Sequence, residues 1–306
     1  MNFTSNECVE VYDRLEMATV SLGRAAGVEG DDLSKYFVPL CQQREYPGDL
    51  SRAVHPGQVS EAAIMGQFAQ SLQNSGRMHK PVGFSVSSVP AFMAMGIIAE
   101  QSEGKRDSLY STYKDGRSDE RAIELSERLS SGLGKKNGIS LRKYARGLID
   151  ASRFLAERNG RALINSVVES APADCPPAMD EINSVIDELL LIYGLGPALA
   201  RDLLKECGCV WLAKPDVHLI EVLRRVKGMG LSRDARHYMT EPGARELCDT
   251  VFEFAQKAAS GKGDESITPY KIDKMIWLLC TEDFYLCSGA ARPDKHDLVS
   301  GLLVSS

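Results

Sequence analysis

Apolar side chains recur along this chain every three to four positions, the period of an amphipathic helix rather than of a strand. Between residues 5 and 26, Val9, Tyr12, Leu15 and Ala18 share one face, with Ser5 as the expected N-cap. Residues 60–72 repeat the pattern with Ala63, Phe68 and Leu72. Residues 141–158 set Leu148, Ala151 and Leu155 inward and Arg142, Lys143, Arg146 and Arg153 outward. Helices are also expected over residues 119–130, 217–226, 242–259 and 272–279. Residues 91–100 (AFMAMGIIAE) are apolar on every side, as a fully buried helix would be. Only residues 82–86 suggest a strand, inside a stretch of Gly, Ser, Pro and Val from 74 to 90. The pattern predicts an all-α fold in two helical subdomains. A central domain spans residues 90–206. An added N-terminal helical region, 1–89, is expected to pack with the C-terminal part, 207–306.

Composition narrows the class. At 306 residues the chain can bury a substantial core. Its charged (25%) and hydrophobic (43%) fractions are those of a globular protein, and no apolar run is long enough to span a bilayer. The opening MNFTSNECVEVYDRLE has neither a basic segment nor an apolar one, so no secretory signal is expected. The eight cysteines follow no secreted-scaffold rhythm and read as free thiols. Cys207-x-Cys209 is too tight for a typical zinc pair, and Cys280 with Cys287 cannot complete a four-cysteine cluster. No metal site is expected. The net charge of −6 excludes a uniformly basic coat but not local basic patches. Residues 131–161 carry eight Lys/Arg against two Asp/Glu, and residues 194–236 carry eight against five.

The second basic run contains the most informative stretch. An apolar helical segment from Ile182 ends in Tyr193-Gly194-Leu195-Gly196-Pro197, and a second helix follows with Ala200, Leu203 and Leu204 on one face. Two glycines let a backbone turn tightly and approach a ligand closely. The amides and dipole of the second helix then suit a phosphate, and Pro197 suits a first helical position. An ordinary αα-hairpin would carry the same turn. Downstream, Lys214-Pro215-Asp216-Val217-His218 opens a third helix. Asp at that place is either a plain N-cap or a fixed carboxylate available for chemistry.

Together these residues resemble the helix-hairpin-helix DNA glycosylase superfamily, which includes endonuclease III and the alkyladenine glycosylases. The resemblance runs from the hairpin Gly194-x-Gly196 to Asp216-Val217-His218. It extends upstream to Ile97-Ile98-Ala99-Glu100-Gln101 and to Gly138–Ala145, and downstream to Ile272–Leu279. It covers roughly residues 91–287 and leaves the first 90 unmatched. It implies a catalytic Asp216 that stabilises an oxocarbenium-like sugar and orients water. It also implies DNA contacts by Gly194, Gly196, Pro197, Ala198, His218, Gln101, Lys143 and Lys214. Trp277, Phe284 and Tyr285 are candidates for stacking on a flipped base.

Two departures refine it. Bifunctional members carry a Lys four residues after the first hairpin glycine, where this chain has Ala198. Without that amine no Schiff base forms there, which implies a monofunctional enzyme that leaves an abasic site. Lys214 is the alternative amine. The iron–sulfur cysteines are incomplete, so the resemblance requires no cofactor, apart from a structural monovalent cation of the kind relatives hold at the hairpin. The implied partner is double-stranded DNA bearing a damaged or modified base, met by a monomer without a membrane. That places the chain in a bacterial cytoplasm or a eukaryotic nucleus. Two alternatives stand: a glycosylase for hypermodified bases of foreign DNA, and a non-catalytic DNA-binding protein. The base excised is not legible.

Overall fold

The computed structural model describes residues 3–28, 30–45, 59–74, 109–133, 138–169, 179–226, 228–232 and 234–281. The expected strand at 82–86, the apolar helix at 91–100, and Gln101, Phe284, Tyr285 and Cys287 lie outside them. Every regular element among the described residues is helical, as the period of the apolar positions predicts.

In chain order the helices are α1 (Ser5–Ala25), α2 (Asp31–Ser34), α3 (Leu40–Glu45), α4 (Glu61–Asn74), α5 (Leu109–Tyr113), α6 (Ser118–Leu133) and α7 (Ile139–Glu157). They continue as α8 (Gly160–Glu169), α9 (Met179–Leu189), α10 (Pro197–Cys207), α11 (Val217–Leu223), α12 (Glu241–Lys262) and α13 (Pro269–Thr281). The chain divides into two compact units. One, the terminal unit, contains the described residues of 3–38 and 209–281. The other, the central unit, contains Pro39–Ser170 and Pro177–Gly208. Residues 39–45 and 59–74 thus fold with the unit that carries the glycine turn.

In the terminal unit α1 packs against α12 and α13. Thr4, not Ser5, is its N-cap. The Thr4 hydroxyl accepts from the Glu7 amide (3.3 Å) while the Glu7 carboxylate accepts from the Thr4 amide (2.8 Å). Two otherwise orphaned amides are satisfied by this reciprocal pair, a capping box. Val11, Tyr12 and Leu15 of α1 lie in a core with Leu247, Val251 and Phe254 of α12 and Ile272 and Ile276 of α13. Burying side chains of this size stabilises by roughly 1.5–3 kcal/mol each.

In the central unit α7 is the hub, packed by α4, α5, α6 and α8. Its inward stripe is as expected, with Leu148, Ala151 and Leu155 buried. Phe154 meets Phe68 of α4 edge-on, with ring centroids 6.0 Å apart, and the Tyr144 hydroxyl donates to the Ala69 carbonyl. Arg153 is not a solvated cation. It donates to the carbonyls of Tyr113, Lys114 and Gly116 and so fastens the α5–α6 connection. The corner between α7 and α8 needs two unusual backbones. Asn159 adopts φ +53°, a region Asn tolerates better than most residues. At Gly160 any Cβ would lie 2.4 Å from the Phe154 ring.

Candidate functional site

The glycine turn belongs to the central unit. After α9 the chain tightens, with Leu191 N–H donating to Glu188 and Ile192 N–H to Leu189. Gly194 then takes φ +90°, a conformation that a side chain would strain. Leu195 is buried between the two glycines, and Ala200 is fully buried one turn into α10. The turn is mounted on α7. The Tyr193 amide donates to the Asp150 carboxylate (3.3 Å), and the Arg146 guanidinium lies 4.2 Å over the Tyr193 ring. At Gly147 a Cβ would meet the Tyr193 carbonyl oxygen at 2.7 Å, so this glycine is what lets the turn rest on α7.

Gly196 begins α10 in an extended conformation (φ −86°, ψ 177°), with Pro197 behind it and no side-chain cap. Its carbonyl accepts from Leu199 and Ala200, but among the described residues the amides of Gly196 and Ala198 find no acceptor. Both glycines are exposed, and a Cβ on Gly196 would meet nothing within 4 Å. Among the described residues this helix start is open, with N–H donors that find no acceptor at the positive end of the helix dipole.

The basic character expected around the turn is a different matter. Arg201 and Lys205 of α10 are buried, not displayed. Arg201 donates to the Pro197 carbonyl (3.1 Å), and Lys205 lies 3.4 Å from Asp202 and 3.6 Å from Glu206. Glu206 in turn accepts from the Leu40 amide (3.0 Å), which ties α3 to α10. Part of the second basic run is therefore spent on internal ion pairing. On α7 of this unit, Arg142 and Lys143 are exposed and have no acidic partner among the described residues.

Asp216 belongs to the terminal unit. The segment before it is pinned at three points. Tyr270 N–H donates to the Val210 carbonyl (3.0 Å), the Cys248 thiol to the Ala213 carbonyl (3.3 Å), and Lys214 N–H to the Asp273 carboxylate (3.0 Å). The Asp216 amide closes a tight turn onto the Lys214 carbonyl at 2.7 Å. Asp216 then caps α11, its Oδ1 accepting from the amides of His218 (2.9 Å) and Leu219 (3.1 Å). Among the described residues Oδ2 has no partner, and the residue is half-exposed. One oxygen is thus fixed by the fold, and the other is unengaged among the described residues.

His218 and Lys214 are half-buried on either side of Asp216. Trp277 is half-buried on α13, with the Lys274 amine 5.4 Å from its ring. Since α11 packs on α13, Trp277 and Asp216 occupy neighbouring helices of one unit. Burial pushes the nearby Cys209 thiol up to about 12, which removes it as a nucleophile. Asp273, 2% exposed, is the positioning residue that sequence reasoning missed. The available signal was an acidic residue on an otherwise apolar helix face, which is rare unless it is paired. Among the described residues no group of three or more His, Cys, Asp or Glu is placed to hold a metal ion. None of the described helices is long and apolar enough to cross a membrane. No family model, no curated protein and no solved structure matches the chain.

Proposed function

We propose that the chain is a monofunctional DNA glycosylase of the helix-hairpin-helix type. The observation that carries the proposal is the division of labour at Asp216, with Oδ1 bound to two helix amides and Oδ2 unengaged on a segment pinned by Asp273, Cys248 and Tyr270. A carboxylate held in this way is preorganised. It need not reorganise when positive charge develops on a sugar beside it. In the proposed reaction the bond between C1′ and the base nitrogen breaks and the base leaves with the electron pair. Asp216 stabilises the oxocarbenium-like sugar and accepts a proton from the water that attacks C1′, and passing that one proton on to the departing base restores the carboxylate. The open start of α10 supports the same proposal, because unsatisfied amides at a helix N-terminus suit a phosphate of the bound duplex. Ala198 provides no amine, so the product is an abasic site and not a cleaved strand.

One observation favours a second reading. The cap that Asp216 provides is sufficient structural reason for an acid at that place, so a non-catalytic DNA-binding protein would also keep it. The two readings part on one assay. Oligonucleotide duplexes bearing oxidised, alkylated, deaminated or naturally modified bases are incubated with the protein, and strand breaks are counted with and without alkali. The glycosylase produces breaks only after alkali, and Asp216→Asn loses them while keeping the cap. Absence of breaks on every substrate would leave the binding protein.

A further inference from the structure

Two helix stripes face a common groove in the central unit. On α6 Asp119, Ala122 and Ile123 recur at helical spacing, and on α7 Ile139, Arg142, Lys143 and Arg146 do the same. With Tyr193 they line an open groove of about 450 Å³. Ala122 forms a buried floor, whereas Ile123 is 47% exposed and Ile139 69% exposed. Ile123 on α6 and Ile139 on α7 both line the groove and stand largely in water.

The charges in the groove are unequal. Arg146 is committed, 2.7 Å from Asp119 and stacked on Tyr193. Arg142 and Lys143 are exposed and unpaired among the described residues, in a chain whose formal charge is −6. The groove therefore offers two free cations beside two wet isoleucines. A nucleic-acid backbone would use the cations and leave the isoleucines in water. Base stacking would need the Tyr193 face that Arg146 covers. An amphipathic helix satisfies both features. From Ile139 to Arg146 the α7 stripe runs roughly 10 Å, about two helical turns at 1.5 Å per residue.

We propose that the α6–α7 groove docks an acidic amphipathic helix of a partner protein. Apolar side chains one turn apart cover Ile123 and Ile139, while flanking carboxylates meet Arg142 and Lys143. This is helix-in-groove recognition made selective by charge. It does not depend on the glycosylase proposal.

The test uses the full chain and a fluorescein-labelled synthetic peptide with Leu at i, i+4 and i+7 and Glu on the flanking positions, followed by fluorescence anisotropy. The acidic peptide is expected to bind at least about tenfold more tightly than versions with Lys for Glu or Ser for Leu. Ile123→Ser with Ile139→Ser, and separately Arg142→Glu with Lys143→Glu, should each weaken it about tenfold at unchanged helical circular dichroism. The charge-reversed protein should in turn gain affinity for the Lys peptide, a rescue that misfolding cannot mimic. No saturation by about 1 mM acidic peptide, or equal affinity in the groove variants, would overturn the proposal. So would duplex DNA, instead of the peptide, losing affinity in both double variants.

Discussion

Two helices of this protein begin in opposite ways. At α11 the chain supplies its own anion, with Asp216 Oδ1 taking the amides of His218 and Leu219. At α10 it supplies none. Gly196 holds the same extended cap conformation but has no side chain, and the amides of Gly196 and Ala198 are left unbonded among the described residues. The α10 start is itself well held from behind, by Gly147, Asp150 and Arg146 of α7. A rigidly mounted helix start without a cap costs stability that Asp, Asn, Ser or Thr at Gly196 would recover. The contrast is between an entrance closed by its own carboxylate and one with no side-chain cap. It is the physical basis of the proposal that α10 meets a phosphate and Asp216 a sugar.

The largest effect is expected at the closed entrance, where the chemistry is proposed. Asn caps about as well as Asp, so Asp216→Asn should melt within a few tenths of a kcal/mol of the parent. Its rate of base release should fall by about 10²–10⁴, the usual contribution of a positioned acid–base group. An equal rate would remove Asp216 from the reaction. Next comes the mount of the open entrance. Gly147→Ala places a Cβ 2.7 Å from the Tyr193 carbonyl, a backbone atom that cannot swing away. A loss of roughly 1–3 kcal/mol in denaturant unfolding is expected, as for other overpacked sites. Gly194→Ala forces a side chain into φ +90° and should cost about 1–2 kcal/mol by the same measurement.

The smallest effect concerns α1, whose closed entrance depends on pH. The backbone amide of Thr4 and then its hydroxyl donate to Glu7 and hold its carboxyl below the ordinary value of 4.5. A depressed folded-state pKa adds stability above the unfolded value and loses it as pH falls through the folded one. Melting temperatures of wild type and Glu7→Gln should therefore differ at pH 7 and converge in acid. A gap that persists in acid would show that the capping box contributes nothing through charge.

Much of this was legible in the sequence because helical burial repeats with the chain. The inward stripe of α7, the turn at Gly194 and Gly196, and the start of α11 at Asp216 all stand where the periodicity and punctuation set them. What was illegible depends on which side of a helix faces its neighbour. Arg201 and Lys205 read as surface charge and are buried, because Lys205 pairs with Asp202 and Glu206, three and one positions away, and Arg201 folds back onto the Pro197 carbonyl of its own helix. Asp273 read as part of an apolar closing helix and instead holds the amide of Lys214, 59 residues away. Helix α8 was missed because its boundary with α7 is an Asn at positive φ rather than a proline or a run of glycines. For Ser5 the cap lay one residue earlier, since the box needs Thr4 three positions before Glu7.

One substitution would turn the open entrance into a copy of the closed one. Gly196→Asp places a carboxylate at a cap position whose backbone is already extended and whose surroundings are empty within 4 Å. Melting temperature and affinity for a short DNA duplex are measured on the same sample. If α10 is left open for a phosphate, the variant melts at or above wild type, gaining a few tenths of a kcal/mol from the new cap. Its duplex affinity falls at least about tenfold, because the internal carboxylate occupies the amides and repels the phosphate. Undiminished duplex affinity in a variant that melts at or above wild type would contradict the account.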